Sequence, residues 1–229
     1  MNNPLDMMFS IGRTITKDST NSYVHLAFAL HLQHYKLISY PELIVKGRYI
    51  RVPEYVKVFI QKHSEVIMVA NIINNRVVGL TFRTIGKVKD FSTWGNNKGL
   101  FYGLGALSPD FKYGQPIILV EGLLDCDVIK QFYPNVMAVL TNSLTKLQVD
   151  VLKYLTNNVI MLLDNDNAGI QGTKESMKSL GKSLIVRTLS HYPSLKDAGD
   201  LVKCEINKDP NYNFIYQYYK TMIEGAVLS

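Results

Sequence analysis

From Gly114 onward, short apolar runs alternate with stretches of helical periodicity, and this rhythm limits the second half of the chain to very few folds. The runs at 116–120, 136–140, 158–163 and 183–188 have strand length. The stretches from 123 to 132, up to about 155 and from 170 to 180 place apolar residues at helical spacing. Repeated strand–helix units predict a mainly parallel sheet flanked by helices, hence an α/β fold. Two of the runs end in acid and glycine: Val120-Glu121-Gly122, and Asp164-Asn165-Asp166-Asn167-Ala168-Gly169 after Val159–Leu163. A parallel sheet buries its strands and opens a crevice at their carboxyl ends, so these charges are expected at the edge where α/β folds bind ligands.

Glu121 and Asp125 are four residues apart across a strand end and the first turn of a helix, which puts both carboxylates on one face. Asp164 and Asp166 flank a single residue, so in extended or turning chain both side chains leave in the same direction. Lys196-Asp197-Ala198-Gly199-Asp200 adds a third acidic cluster after the fourth run. Two carboxylates about 4 Å apart repel by roughly 4 kcal/mol at an effective dielectric of about 20, so clustered acids call for a cation. Magnesium or manganese suits an all-oxygen donor set and commonly completes its shell with water and phosphate.

The charge is lopsided. Residues 1–113 carry 14 Lys and Arg against 7 Asp and Glu, a balance of +7, while residues 114–229 carry 11 against 12, a balance of −1. A basic half beside an acidic half fits a polyanion held by one part and worked on by the other. Within the basic half, runs at 66–73 and 77–85 around Asn74-Asn75-Arg76 predict a hairpin. Lys87, Lys89, Phe91, Trp94 and Lys98 follow, then Phe101 and Tyr102. Interleaved cations and rings suit single-stranded nucleic acid, or else a solvated loop whose rings pack on the hairpin. Val24, Phe28, Leu32 and Tyr35 predict an amphipathic helix over 22–37, and residues from Phe214 to Ile223 predict a last one. His31 and His34 read as a surface helix face, and Lys46–Arg51 as a surface strand or a nucleic-acid contact.

The two cysteines, Cys126 and Cys204, have no paired spacing, so neither a disulfide framework nor a zinc ribbon is expected, and no zinc with it. No apolar run approaches the ~20 residues of a membrane span, and the first residues lack a secretory pattern. Gly181-Lys182-Ser183 is not a phosphate loop, because Ser176 stands at the first glycine position and a strand is expected to follow.

Taken together, Glu121-Gly122, Asp164-Asn165-Asp166-Asn167-Ala168-Gly169 and Lys196-Asp197 resemble the Toprim domain over about 116–204, its DnaG-type primase branch in particular. Upstream, Asn75–Arg83 and Lys98–Leu104 resemble the segment that precedes Toprim in primase cores. The resemblance implies a smaller basic α+β subdomain over 1–113, a Toprim domain over 114–204 and a C-terminal helix over 205–229. It implies that Glu121 is the acid of nucleotidyl transfer and that Asp164 and Asp166 bind the metal, with Asp125, Asp197 and Asp200 completing the acidic surface. Arg76, Arg83, Lys87, Lys89, Lys98 and Lys196 become candidates for template or nucleotide phosphates. The last acid departs from the bacterial pattern, in which it stands two places after the position of Asp197. Gly199 occupies that place and Asp200 follows, which looks more like phage primase–helicases. Thr141 stands where the family usually has glycine.

The implied activity is a DNA primase core of phage type that makes short RNA primers on single-stranded DNA from ribonucleoside triphosphates, using Mg2+ or Mn2+. It would work in the cytoplasm, the host's if phage-encoded, with a replicative helicase or a separate zinc-binding chain as further candidate partners and no membrane. A Toprim nuclease acting on RNA or DNA, or a non-catalytic Toprim protein that binds nucleic acid, are the alternatives.

Overall fold

The computed structural model describes residues 35–39, 54–63, 65–73, 76–84, 90–95 and 99–229. The chain divides into two compact units, one of residues 6–97 and the other taking in residues 98–229.

In the first unit, strands β1 (Tyr35–Ser39), β2 (Glu65–Ile73), β3 (Arg76–Thr84) and β4 (Phe91–Gly95) form an antiparallel sheet in the order β1-β2-β3-β4. Helix α1 (Glu54–His63) precedes β2. The register aligns Met68 with Phe82, Ala70 with Leu80 and Leu80 with Trp94, so alternate residues build one apolar face across three strands. All of these are buried, and Val56 and Ile60 of α1 are buried with them.

The expected hairpin is present, although Arg76 belongs to β3, paired with Ile73, rather than to the turn. The helix expected over 22–37 is corrected at its end: residues 35–37 are strand, pairing with Val69, Met68 and Ile67 of β2. Pairing with a neighbouring strand overrides the local helical period there. The rest of that helix lies outside the described residues, as do His31, His34 and Lys46–Arg51.

In the second unit the rhythm of strand and helix is realised. Strands β5 (Ile117–Val120), β6 (Val136–Ala138), β7 (Asn158–Met161) and β8 (Ile185–Thr188) form a wholly parallel sheet in the order β6-β5-β7-β8. Between them lie α2 (Leu123–Ile129), α3 (Lys146–Leu155) and α4 (Asn167–Leu180). β5, a central strand, is buried throughout, and so is β6, the edge strand that Tyr102 covers, whereas β8 is an edge strand with exposed ends. Helices α5 (Gly199–Ile206) and α6 (Tyr212–Leu228) close the chain; the first was not expected, because eight residues are too few for a helical period to stand out.

Residues from Gly99 to Tyr113 belong with this sheet. Tyr102 exchanges backbone hydrogen bonds with Ala138 at 3.1 and 2.9 Å, and the buried Gln148 amide donates to the carbonyls of Leu100 and Val139. Phe101 and Tyr102 are buried in the second unit and Trp94 in the first, while Phe91 is 68% exposed. For Phe101, Tyr102 and Trp94 that burial removes one of the two readings left open by sequence, rings stacked on bases.

Candidate active site

Adjacent parallel strands bring the acids to one edge. The ladder between β5 and β7 continues past the strand ends, with the Leu162 N–H donating to the Leu119 carbonyl at 2.8 Å. On the other side the Leu140 N–H donates to the Glu121 carbonyl at 3.0 Å. Glu121 and Asp164 are therefore fixed by backbone on neighbouring strands. The turn after β6 has its left-handed residue at Leu140 (φ 59°), and the Thr141 hydroxyl donates to Ser143 O at 2.8 Å. Thus Thr141, where glycine was the family's expectation, takes up the polar work of the turn while the neighbouring Leu140 carries its positive φ.

Asp166 is the N-cap of α4, accepting the Gly169 N–H at 2.9 Å, a bond that holds its carboxyl below the usual range. Gly169 is required at its position: a Cβ there would lie 2.1 Å from the Asp164 carbonyl oxygen. The Lys196 ammonium reaches both acids, 3.2 Å from Asp164 Oδ2 and 3.0 Å from Asp166 Oδ2, and these bonds raise its own pKa. The two loops are also stapled through backbone, the Asn165 N–H donating to Lys196 O at 2.7 Å.

Glu121 faces this cluster. Burial, together with the charges of Asp164 and Asp166, pushes its carboxyl up to about 7 against the opposing pull of Lys196. Its Oε2 is buried with no hydrogen-bond partner. Burial likewise raises Asp164. Asp125, 9% exposed, is raised to about 7 by burial and by Asp197, although it accepts the Gly199 N–H at 2.7 Å and the Gly122 N–H at 3.2 Å. It caps α2 and ties the start of α5 to that helix. Asp197 accepts the Asp200 N–H at 2.9 Å; Asp200 accepts the Lys196 N–H at 3.0 Å and pairs with Lys203.

The expected residues therefore fall into two groups, Glu121, Asp164, Asp166 and Lys196 in one and Asp125, Asp197 and Asp200 in the other. Among the described residues no group of three or more acids, histidines or cysteines stands in an arrangement that could hold a metal ion. The physical reason is that backbone N–H groups and Lys196 already engage most of the oxygens of Asp125 and Asp166. A magnesium ion, however, is commonly held by one or two carboxylates, with water and phosphate completing its octahedron. The unpartnered Glu121 Oε2, coupled to Asp164, fits that demand. Arg76 and Arg83 lie in the other unit, Arg83 half-buried, while Lys87, Lys89 and Lys98 lie outside the described residues.

Sequence reasoning did not single out His191. It is buried and hydrogen-bonded to Tyr219 of α6, and a lone histidine carries no spacing signal by which to find it.

Residues 118–202 match the family model described as Toprim-like. Residues 118–202 form a Toprim-like domain. A DNA primase of Clostridium acetobutylicum is 33% identical over 91 residues, which are 39% of this chain and 15% of that protein. The chain thus spans less than a sixth of the length of that curated relative. Among solved structures, the Escherichia coli primase catalytic core matches at 18% identity with a TM-score of 0.58, covering 97% of this chain and 77% of that one. A DnaG primase catalytic domain bound to single-stranded DNA matches at 17% identity with a TM-score of 0.56, covering 94% and 78%. A DNA primase domain from Pseudomonas aeruginosa matches at 23% with a TM-score of 0.52, covering 61% and 47%. The fold is that of a DnaG catalytic core, with the Toprim-like domain as its parallel half.

Proposed function

We propose that this protein is the catalytic core of a DNA primase, making short RNA primers on single-stranded DNA from ribonucleoside triphosphates. The observation that carries the reading is the buried, unpartnered carboxylate oxygen of Glu121, electrostatically coupled to Asp164 and Asp166 at the edge of a Toprim-like sheet. Glu121, Asp164 and Asp166 would hold a divalent cation, with Asp125, Asp197 and Asp200 setting the surrounding negative field. When bound, magnesium or manganese would supply charge neutralisation for the triphosphate and for the leaving pyrophosphate.

The protein's own groups do the rest. Burial and the neighbouring acids by themselves raise the Glu121 carboxyl to about 7; beside a bound cation it would be drawn down, leaving Glu121 ionised and able to accept the proton of the attacking 3′-hydroxyl. Lys196, held by Asp164 and Asp166 and half exposed, is placed to exchange one carboxylate for a phosphate oxygen. Arg76, Arg83, Lys87, Lys89 and Lys98 would hold the template through its phosphates. The domain division expected from sequence, 1–113, 114–204 and 205–229, and the phage affinity suggested by the Asp200 spacing belong to this proposal. So do a cytoplasmic location and a zinc-binding or helicase partner. In support, an Aquifex aeolicus primase structure pairs zinc-binding and RNA polymerase domains, and among the described residues no helix is long and apolar enough to cross a membrane.

The test is primer synthesis with ribonucleotides, Mg2+ and single-stranded DNA. Labelled primers should appear with the wild type and fall at least a hundredfold with Glu121→Gln or Asp164→Asn, an order of magnitude typical of losing an acid–base or charge-stabilising group. Equal product from all three proteins would overturn the reading. Metal-dependent cleavage of labelled nucleic acid without primers would assign the same acids to a nuclease.

A further inference from the structure

The loop from Leu189 to Ala198 carries Lys196 and Asp197; the Leu189 N–H to Met161 O bond ties its start to the sheet, and residues 190–192 are held by the C-terminal helix. His191 Nδ1 lies 2.7 Å from the Tyr219 hydroxyl, with both residues buried (3% and 0% exposed). The Tyr218 hydroxyl donates to Ser190 O at 3.0 Å, and the Tyr192 ring meets Tyr218 edge-on at 5.4 Å between centroids. At its other end the loop is stapled to the acidic strand end by the Asn165 N–H to Lys196 O bond, while the Lys196 ammonium bridges Asp164 and Asp166. A mechanical path therefore runs from α6 through a buried imidazole to the acids, and no step of the chemistry uses that imidazole.

We propose, on the nucleotidyl-transfer reading of the site, that His191 and Tyr219 are positioning residues that hold Lys196 against Asp164 and Asp166. Burial holds the imidazole below its ordinary pKa, so the ring is neutral at pH 7. A neutral ring has one donor and one acceptor nitrogen. Nδ1 shares one hydrogen bond with the Tyr219 hydroxyl at 2.7 Å, and both groups are shut away from water. One side chain thereby joins α6 to the loop that carries Lys196. A packed helix anchoring a catalytic loop through a saturated buried bond is the arrangement by which supporting groups fix the geometry of an active site.

The test uses the full chain with Tyr219→Phe, which deletes one hydroxyl and keeps the buried ring. Tyr218→Phe serves as a second variant that touches only a surface bond. Amide exchange at Asn165, whose N–H is donated to Lys196 O, should accelerate about tenfold in Tyr219→Phe, the scale of one lost hydrogen bond. It should accelerate by less in Tyr218→Phe, with exchange at Ile118 and Ile160 in the central strands unchanged in both. In primer synthesis the kcat of Tyr219→Phe should fall about tenfold while the Kd for single-stranded DNA stays within twofold. Unchanged exchange at Asn165 in both variants would overturn the proposal, as would acceleration spread equally over the central strands, which would mark a general loss of packing. If Tyr219→Phe does not fold, His191→Gln, which changes the same bond from the loop side, decides by the same criterion. Absence of primer synthesis by the wild type would remove the nucleotidyl-transfer reading, whereas exchange at Asn165 tests the positioning alone.

Discussion

Glu121 shows how a single residue can be tuned by burial and neighbouring charge while one of its carboxylate oxygens stays unpartnered. Its carboxyl sits near 7 because the site buries it and sets two other carboxylates beside it. In the unfolded chain the same group titrates near 4.5. The proton is thus held more tightly in the folded state, and stability linked to Glu121 is full below about pH 4.5 and is lost as pH rises through 7. Glu121→Gln removes that loss. Its melting temperature is expected to match the wild type at pH 4.5 and to exceed it at pH 8, measured without divalent cation, even as activity disappears. Gly169 is tuned by space instead, and Gly169→Ala forces a backbone shift at Asp164. The expected cost is about 1–3 kcal/mol in chemical denaturation, together with a loss of primer synthesis larger than the residual stability would explain.

At the scale of elements, helix α3 shows how local signals and long-range ones meet in one side chain. Thr145 and Gln148 form a reciprocal cap, with Gln148 N–H on Thr145 Oγ1 at 3.3 Å and Thr145 N–H on Gln148 Oε1 at 2.9 Å. The amide nitrogen of Gln148 then satisfies two carbonyls from outside the helix, one of them in the segment before β5. Gln148→Leu keeps the volume and abandons those carbonyls and the cap. It is expected to destabilise the protein by about 1–3 kcal/mol, read from the denaturant midpoint. Thr145→Ala, which removes only the cap, should cost about 1 kcal/mol in the same measurement. The strands of the parallel sheet were legible to within two residues at each end because their apolar runs are short, continuous and bounded by turn residues. β1 and α5 were not, the first because its partner rather than its own period decides its conformation, the second because it is short.

For the whole molecule, the two units have separate cores and differ in charge, residues 98–229 carrying 13 Lys and Arg against 13 Asp and Glu. Residues 6–97 carry 12 Lys and Arg against 6 Asp and Glu. A fragment of residues 98–229 is expected to unfold in one cooperative transition by circular dichroism, since the parallel sheet and its helices are packed within that unit. The same fragment should bind single-stranded DNA far more weakly than the full chain. Binding by the full chain should weaken steeply between 50 and 200 mM salt, as release of counterions from phosphates demands. Equal affinity of fragment and full chain in fluorescence anisotropy would show that the basic unit does not hold the template.

Apolar runs closed by acid and glycine, separated by helical stretches, were enough to determine a parallel sheet with Glu121, Asp164 and Asp166 at its carboxyl edge. The period of a strand and the topology of strand–helix units are local properties, written in consecutive residues. Which oxygens remain available was decided only by the tertiary structure. Asp125 is drawn into capping α2 and receiving the Gly199 N–H, Asp166 into capping α4, and Lys196 into bridging two acids, while Glu121 Oε2 is left buried and unpaired. The two caps are local, but the Gly199 N–H and the Lys196 ammonium come from segments far from the acids they meet, and no spacing within one segment can encode those contacts.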